Sequence, residues 1–157
     1  MRHRWRIRKG SKLKSITKFT TNDTGKISAT WIDDDGKPYP FVGYDRAAPE
    51  FYAALEALVL PALISAGIPQ AETCVDGANI VSLSRTYPKS GHSRIKGYIR
   101  RLLDDSDADA LSGVVIPNRP VVGKLGHSEE FMDAYRAFMS ELDDYIDGKR
   151  AQMEIAE

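Results

Sequence analysis

The chain has one cysteine, Cys74, and three histidines among its 157 residues. A single thiol cannot close an intramolecular disulfide or supply a cysteine-based zinc site, so we expect a protein of a reducing compartment, the cytoplasm. The longest apolar stretch, residues 55–68, contains Glu56 and Pro61 and is shorter than the roughly 20 residues that span a bilayer. We therefore expect no membrane partner.

Sequence signatures for nucleotide chemistry are also missing. There is no glycine-rich phosphate loop and no dinucleotide fingerprint, which argues against a nucleotide hydrolase or a dehydrogenase. The acidic run at residues 33–36 ends in Asp-Gly and lacks the alternating ligands of a calcium loop, so it predicts a hairpin turn. Residues 104–109 resemble an acidic linker. No cofactor and no metal site are predicted.

The charges balance overall but are segregated along the chain. Lysine plus arginine and aspartate plus glutamate each number 22. Residues 1–46 carry eleven basic and five acidic side chains, and residues 85–103 carry six basic and none acidic. Residues 126–157 carry three basic and nine acidic ones. Because an anionic polymer responds to local charge, the zero net charge does not exclude nucleic acid.

The N-terminal third predicts an antiparallel β-meander. Residues 2–8 alternate strictly, with arginine at every even position, which is typical of a strand with one basic face. Residues 12–20 predict a second strand, although Leu13, Ile16 and Phe19 are spaced for a helix. Residues 26–32 predict a third strand, which the turn at residues 33–36 joins to the next extended segment. We define residues 1–46 as a basic meander.

The remaining chain, residues 47–157, predicts mixed helices and strands. Helical periodicity covers residues 48–66 and, at greatest length, residues 128–149, whose amphipathic pattern predicts an acidic C-terminal helix packed on one sheet face. A strand is expected at residues 79–87. Residues 93–103 predict a basic helix, with Ile95, Ile99 and Leu102 directed inward. The class is α+β, in a single domain over residues 1–157.

The basic segments lead to the first functional hypothesis, a small non-enzymatic binding protein. Two basic clusters on regular elements would contact nucleic acid or another polyanion, DNA or RNA, without strong sequence specificity. The candidate anion-binding residues are Arg2, Arg4, Arg6, Arg8, Lys12, Lys14, Arg85, Lys89, Arg94, Lys96, Arg100, Arg101 and Lys124.

A repeated loop motif leads to a second hypothesis. The sequence is KSGHS from Lys89 and KLGHS from Lys124, each ahead of a predicted helix. If the loops converge, His92 and His127 would act as acid and base of a metal-independent phosphodiesterase or nuclease. The alternative is ordinary capping, because glycine and serine are common where helices begin.

The third hypothesis is an interaction or inhibitor protein. Its basic face would dock on an acidic protein, while the acidic C-terminal helix stays outside or forms a homodimer. The segregation of charge fits this hypothesis nearly as well as nucleic acid does.

Overall fold

The computed structural model describes residues 13–22, 24–102 and 111–150, apart from the side chains of residues 101–102 and 111–112. Six strands and two long helices confirm the α+β class. The strands are β1 (Ser15–Thr21), β2 (Ile27–Ile32), β3 (Pro38–Gly43), β4 (Ala78–Arg85), β5 (Arg94–Leu102) and β6 (Leu111–Pro120). The helices are α1 (Pro49–Ser65) and α2 (Glu129–Ile146), and a short 3₁₀ helix covers Ala71–Cys74.

The strands form one antiparallel sheet in the order β3-β2-β1-β4-β5-β6. Strands β1 to β3 form one antiparallel meander, and β4 to β6 form a second one. The two meanders join where β1 pairs with β4, for example at Phe19 opposite Leu83. This central pairing joins the two meanders into one continuous six-stranded sheet.

The acidic run between β2 and β3 is a turn, as predicted. The Gly36 amide donates to the Asp33 carbonyl at 2.9 Å, and the Asp33 carboxylate accepts from the amides of Asp35 and Lys37. These bonds, the one from Lys37 foremost, hold the pKa of Asp33 below its ordinary value. The carboxylate therefore organises the turn.

Both helices pack on the same face of the sheet, which we call the inner face. Phe19 of β1 is fully buried there, with ring centroids 4.9 Å from Phe138 of α2 and 6.4 Å from Phe51 of α1. Helix α2 begins at Ser128, whose hydroxyl accepts from the Phe131 amide at 3.1 Å. The long C-terminal helix is thus confirmed.

The predicted basic helix at residues 93–103 is wrong, because Arg94–Leu102 form strand β5. Ile95 and Ile99 are compatible with both periods, being four residues apart. Gly97 lies between them on the inner face, where a Cβ atom would come within 2.5 Å of the Ser82 carbonyl oxygen. Glycine thus permits a close strand contact here, and it also disfavours a helix.

Two predicted segments lie outside the described residues: the arginine strand at residues 2–8 and the acidic linker at residues 104–109. Among the residues that are described, no helix combines the length and apolar character needed to cross a bilayer.

Candidate nucleic-acid interface

The sheet and the helices carry opposite charge. None of the six described strands contains aspartate or glutamate, and together they contain seven lysines and arginines. Helices α1 and α2 contain eight carboxylates and one basic residue, Arg136. The helices cover the inner face, where Arg85 and Arg119 contact α2 and α1. Four other strand cations, Lys18, Arg94, Lys96 and Arg100, lie on the opposite side, which we call the outer face.

Alternation along β5 places three cationic side chains and one aromatic side chain on the outer face. Ile95, Gly97 and Ile99 occupy the inner positions. The residues between them define the β5 stripe: Arg94, Lys96, Tyr98 and Arg100. Successive members are about 6.8 Å apart, because a strand rises about 3.4 Å per residue. The stripe thus holds three cations and one aromatic ring in a line.

Tyr98 is positioned by a glycine on the neighbouring strand. A Cβ atom at Gly113 would come within 1.5 Å of the Tyr98 hydroxyl oxygen and 2.2 Å of the adjoining ring carbon. The hydroxyl end of the ring therefore occupies the place where a side chain of β6 would stand. Tyr98 is still 41% exposed. The ring lies low over the sheet and keeps surface available for a stacking partner.

Small polar and basic side chains surround the stripe on the outer face. Register places Lys18 of β1, Ser84 of β4 and Lys96 side by side across three strands. In the next row Ser82 is paired with Tyr98, and Val115 of β6, 65% exposed, lies opposite Tyr98 on the other side. Among the described residues, no helix covers these rows, so they form a broad accessible surface.

Several predicted anion-binding residues lie near the N-terminal end of β5. Lys89 and Lys124 are exposed in the loops before β5 and before α2. Arg94 is exposed and donates to the Asn118 carbonyl at 2.7 Å. Lys89 and Lys124 therefore extend the positive surface of the β5 stripe beyond the ends of the strands.

Arg85 is positioned differently. Its Nε donates to the Ser93 hydroxyl at 2.7 Å, and its guanidinium lies over the rings of Tyr87 and Tyr135. It supports the loop between β4 and β5 and packs on α2 from the inner face. For Arg101, the other neighbouring arginine in the predicted set, only the backbone is described.

Lys14 is engaged within the fold. Its ammonium lies 2.6 Å from the Asp147 carboxylate and 3.2 Å from that of Asp143, and it sits over the Trp31 ring. The Lys14 side chain is only 13% exposed. Its charge therefore ties β1 to the end of α2. The other predicted N-terminal cations, Arg2, Arg4, Arg6, Arg8 and Lys12, lie outside the described residues.

The two Gly-His-Ser loops come together through their backbones. The Val121 amide donates to the Ser93 carbonyl at 3.0 Å, and the His127 amide donates to Pro120 at 2.9 Å. Both loops therefore lie at the same end of the sheet. The elements that follow differ, because Ser93 precedes strand β5 and Ser128 precedes helix α2.

The histidines of these loops have different environments. His92 is exposed, whereas His127 is 6% exposed and stacks on Phe131 with a centroid distance of 4.1 Å. His127 Nε2 donates to the Ile95 carbonyl at 2.8 Å, and the Ser65 hydroxyl lies 3.4 Å from Nδ1. Burial, above all, lowers the pKa of His127. Its ring therefore packs and hydrogen-bonds inside the fold.

Comparison of the chain with protein-family models, with curated proteins and with solved structures gave no match. The functional argument therefore rests on the residues of the outer face. Within the described ranges, no three histidine, cysteine, aspartate or glutamate side chains are grouped as a metal site would require.

Sequence reasoning did not identify Tyr98 as a functional candidate. The helical interpretation of residues 93–103 gave it no special position. The signal that could have identified it is the alternation in Arg94–Leu102, RIKGYIRRL, in which polar and apolar residues exchange at nearly every step. With a strand assigned, Tyr98 falls between Lys96 and Arg100 on one face.

Proposed function

We propose that the protein binds single-stranded nucleic acid across the outer face of its sheet, without strong sequence specificity. The observation that carries this proposal is the β5 stripe, in which the exposed ring of Tyr98 lies between Lys96 and Arg100 on a sheet free of carboxylates. Cations along such a surface attract the phosphate backbone, and an aromatic ring stacks on a base of any identity.

The position of Tyr98 favours single strands over duplexes. In a duplex, the faces of the bases are stacked on one another and are not accessible to a side chain lying flat on a sheet. A single strand exposes those faces, so the same ring contributes to binding. The cations of the stripe attract both forms. The difference in affinity between the two forms is therefore the measurable property of the proposed interface.

The test is a fluorescence-anisotropy titration with single-stranded and duplex oligonucleotides, both DNA and RNA, with the probe checked for cleavage afterwards. We expect tighter binding of single strands. Tyr98→Ala should weaken single-strand binding about tenfold or more, the usual effect of losing one stacked base. Tyr44→Ala is the matched control, because Tyr44 is 76% exposed and lies in the loop after β3.

A second substitution tests the geometry of the ring. Gly113→Ala keeps Tyr98 and every charge but occupies the space that the ring uses. It should displace the ring and weaken single-strand binding while leaving the duplex unaffected. Equal affinity for single strands and duplexes, unchanged by Tyr98→Ala, would refute the proposal. Absence of any oligonucleotide binding would favour the acidic protein partner instead.

A further inference from the structure

A cleft of about 600 Å³ opens at the end of the sheet that is opposite the Gly-His-Ser loops. It forms where β1 ends and turns toward β2, while β4 and β5 continue. Among the described residues, β1 pairs with β4 from Lys18 to Thr20, so Ala78 to Val81 of β4 extend beyond this pairing. Helix α1 and the loop before β4 complete the walls. This volume lies within the usual range for small-ligand sites.

The lining combines an apolar interior with a polar rim. Buried side chains form the floor: Val59, Ala78 and Ile80. The walls include half-buried side chains: Tyr52, Leu55 and Val75. The rim carries exposed polar groups: Arg46, Glu56, Asp76 and Asn79. An apolar slot with hydrogen-bonding groups at its edge suits a planar heterocycle whose ring is buried and whose polar edge meets the rim.

The cleft is continuous with the β5 stripe through Arg100. This residue is the last member of the stripe, pairs with Asn79 across β4 and β5, and lines the cleft. A nucleic-acid strand lying along the β5 stripe would therefore pass Tyr98 and then reach Arg100 at the mouth of the cleft. The two surfaces are adjacent parts of one route across the protein.

Arg46 supplies a cation at the mouth of the cleft. Its guanidinium lies over the Tyr52 ring, 4.9 Å from the centroid, and the Tyr52 hydroxyl accepts from the Ala47 amide. The neighbouring Asp45 pairs with Arg150 instead, and within the described part of the chain no ion pair involves Arg46. Arg46 is thus oriented by an aromatic ring and keeps its charge for an incoming anion.

We infer that this cleft takes up one nucleotide, with the base in the apolar slot and its phosphate at Arg46. The inference rests on the proposed function, since it assigns the cleft to the terminal nucleotide of the bound strand. The carboxylates of Glu56 and Asp76 accept hydrogen bonds and repel carbonyl oxygens. They favour a base with an exocyclic amino group, such as cytosine, over uracil, which presents a carbonyl at the same position.

The test uses CMP and UMP as probes, because their bases differ only in the group at C4 and in the proton at N3. Amide chemical-shift titrations at millimolar nucleotide should map CMP to the cleft and show it binding about tenfold more tightly than UMP. Leu55→Trp, which fills the slot, should abolish CMP binding and weaken oligonucleotide binding about tenfold. Arg46→Gln should weaken CMP binding; because Arg46 is exposed, this variant keeps the test valid if Leu55→Trp is unstable.

The outcomes separate this inference from the proposed function. Tyr98→Ala should weaken oligonucleotide binding and leave CMP binding unchanged, since Tyr98 is not part of the cleft lining. In one outcome, oligonucleotide binding depends on Tyr98 but CMP binding is unaffected by Arg46→Gln and Leu55→Trp. This result would overturn the cleft assignment and leave the proposed function intact. Equal affinity for CMP and UMP would overturn the preference for an amino group. CMP binding in the cleft without oligonucleotide binding would overturn the proposed function and leave a mononucleotide site.

Discussion

The sheet and the helices differ in charge but share one apolar interface. Seven basic and no acidic residues lie in the described strands, whereas eight acidic residues and one basic residue lie in the helices. Between them, the buried contacts are mostly aliphatic and aromatic. Apart from the part-buried pair of Asp143 with Lys14, the segregated charges contribute little to folding, since exposed ion pairs stabilise proteins weakly. The inner face therefore determines stability, whereas the outer face carries exposed positive charge outside the apolar interface.

The largest expected effect comes from the inner face. Phe19→Ala removes a fully buried ring that contacts both helices through Phe51 and Phe138. We expect a loss of about 3–5 kcal/mol in the free energy of unfolding, because large-to-small changes in a core leave a cavity. Urea denaturation measures it. Val115→Thr is the outer-face counterpart and should change stability by less than about 0.5 kcal/mol; similar losses in both variants would contradict the comparison.

The next effect concerns the ion pairs that cross between the layers. Asp143→Ala removes a carboxylate that accepts from both the amide and the ammonium of Lys14. We expect a loss of about 3 kcal/mol, the low end for breaking a buried pair, since Asp147 still holds the ammonium. Asp143→Asn keeps an acceptor for the amide and should lose less. Thermal and urea unfolding measure the stability of both variants. Equal losses in Asp143→Ala and Asp143→Asn would mean that the whole effect comes from the charge.

The elements with one clear periodicity could be predicted from the sequence. The stripe of apolar residues in α2, with Ser128 at its start, specifies a helix, and the meander follows from alternation and the Asp-Gly turn at residues 33–36. Strand β5 was missed, because Ile95 and Ile99 satisfy both periods. The alternation in RIKGYIRRL favours a strand, and the close approach of Gly97 to Ser82, a contact distant in sequence, fixes it.

The candidate site was predictable in its charges but not in its geometry. Lys96 and Arg100 were identified as basic, yet their common face with Tyr98 depends on the strand assignment. The two Gly-His-Ser motifs also show that local sequence does not specify the position of a side chain in the fold. Identical local residues give an exposed His92 and a buried His127, because burial depends on Phe131, Ile95 and Ser65, which pack against only one of them.

A smaller effect is expected from pH at the buried histidine. The pKa of His127 lies below its ordinary 6.5, mainly through burial, with the charges of Arg119 and Arg94 acting in the same direction and the Ile95 carbonyl opposing them. Between the lower folded pKa and the unfolded pKa of 6.5, the histidine is therefore protonated in the unfolded chain but not in the folded chain. The resulting stability is present above pH 6.5 and is lost as pH falls through the lower folded value.

Melting temperatures measured between pH 7.5 and 5 check this expectation, because most carboxylates titrate at lower pH. The parent protein should lose stability across this interval, and His127→Gln should reduce the dependence. His92→Gln is the matched control, since His92 is exposed, and it should retain the parent's pH profile. An unchanged profile in His127→Gln would show that other groups cause the dependence.

The smallest expected effect lies on the outer face and leaves stability unchanged. Lys96→Gln removes one cation of the β5 stripe, and its exposed side chain makes no contribution to the core. If each neutralised phosphate of a single strand contributes a slope of about −0.7 to the dependence of log K on log salt, this variant should reduce the slope by about that amount. Arg136→Gln removes an exposed charge from α2, on the helical side, and should leave the slope unchanged. Equal changes of the slope in both variants would mean that nucleic acid responds to the overall charge of the protein. The distinction between a binding sheet and a supporting helical layer would then be wrong.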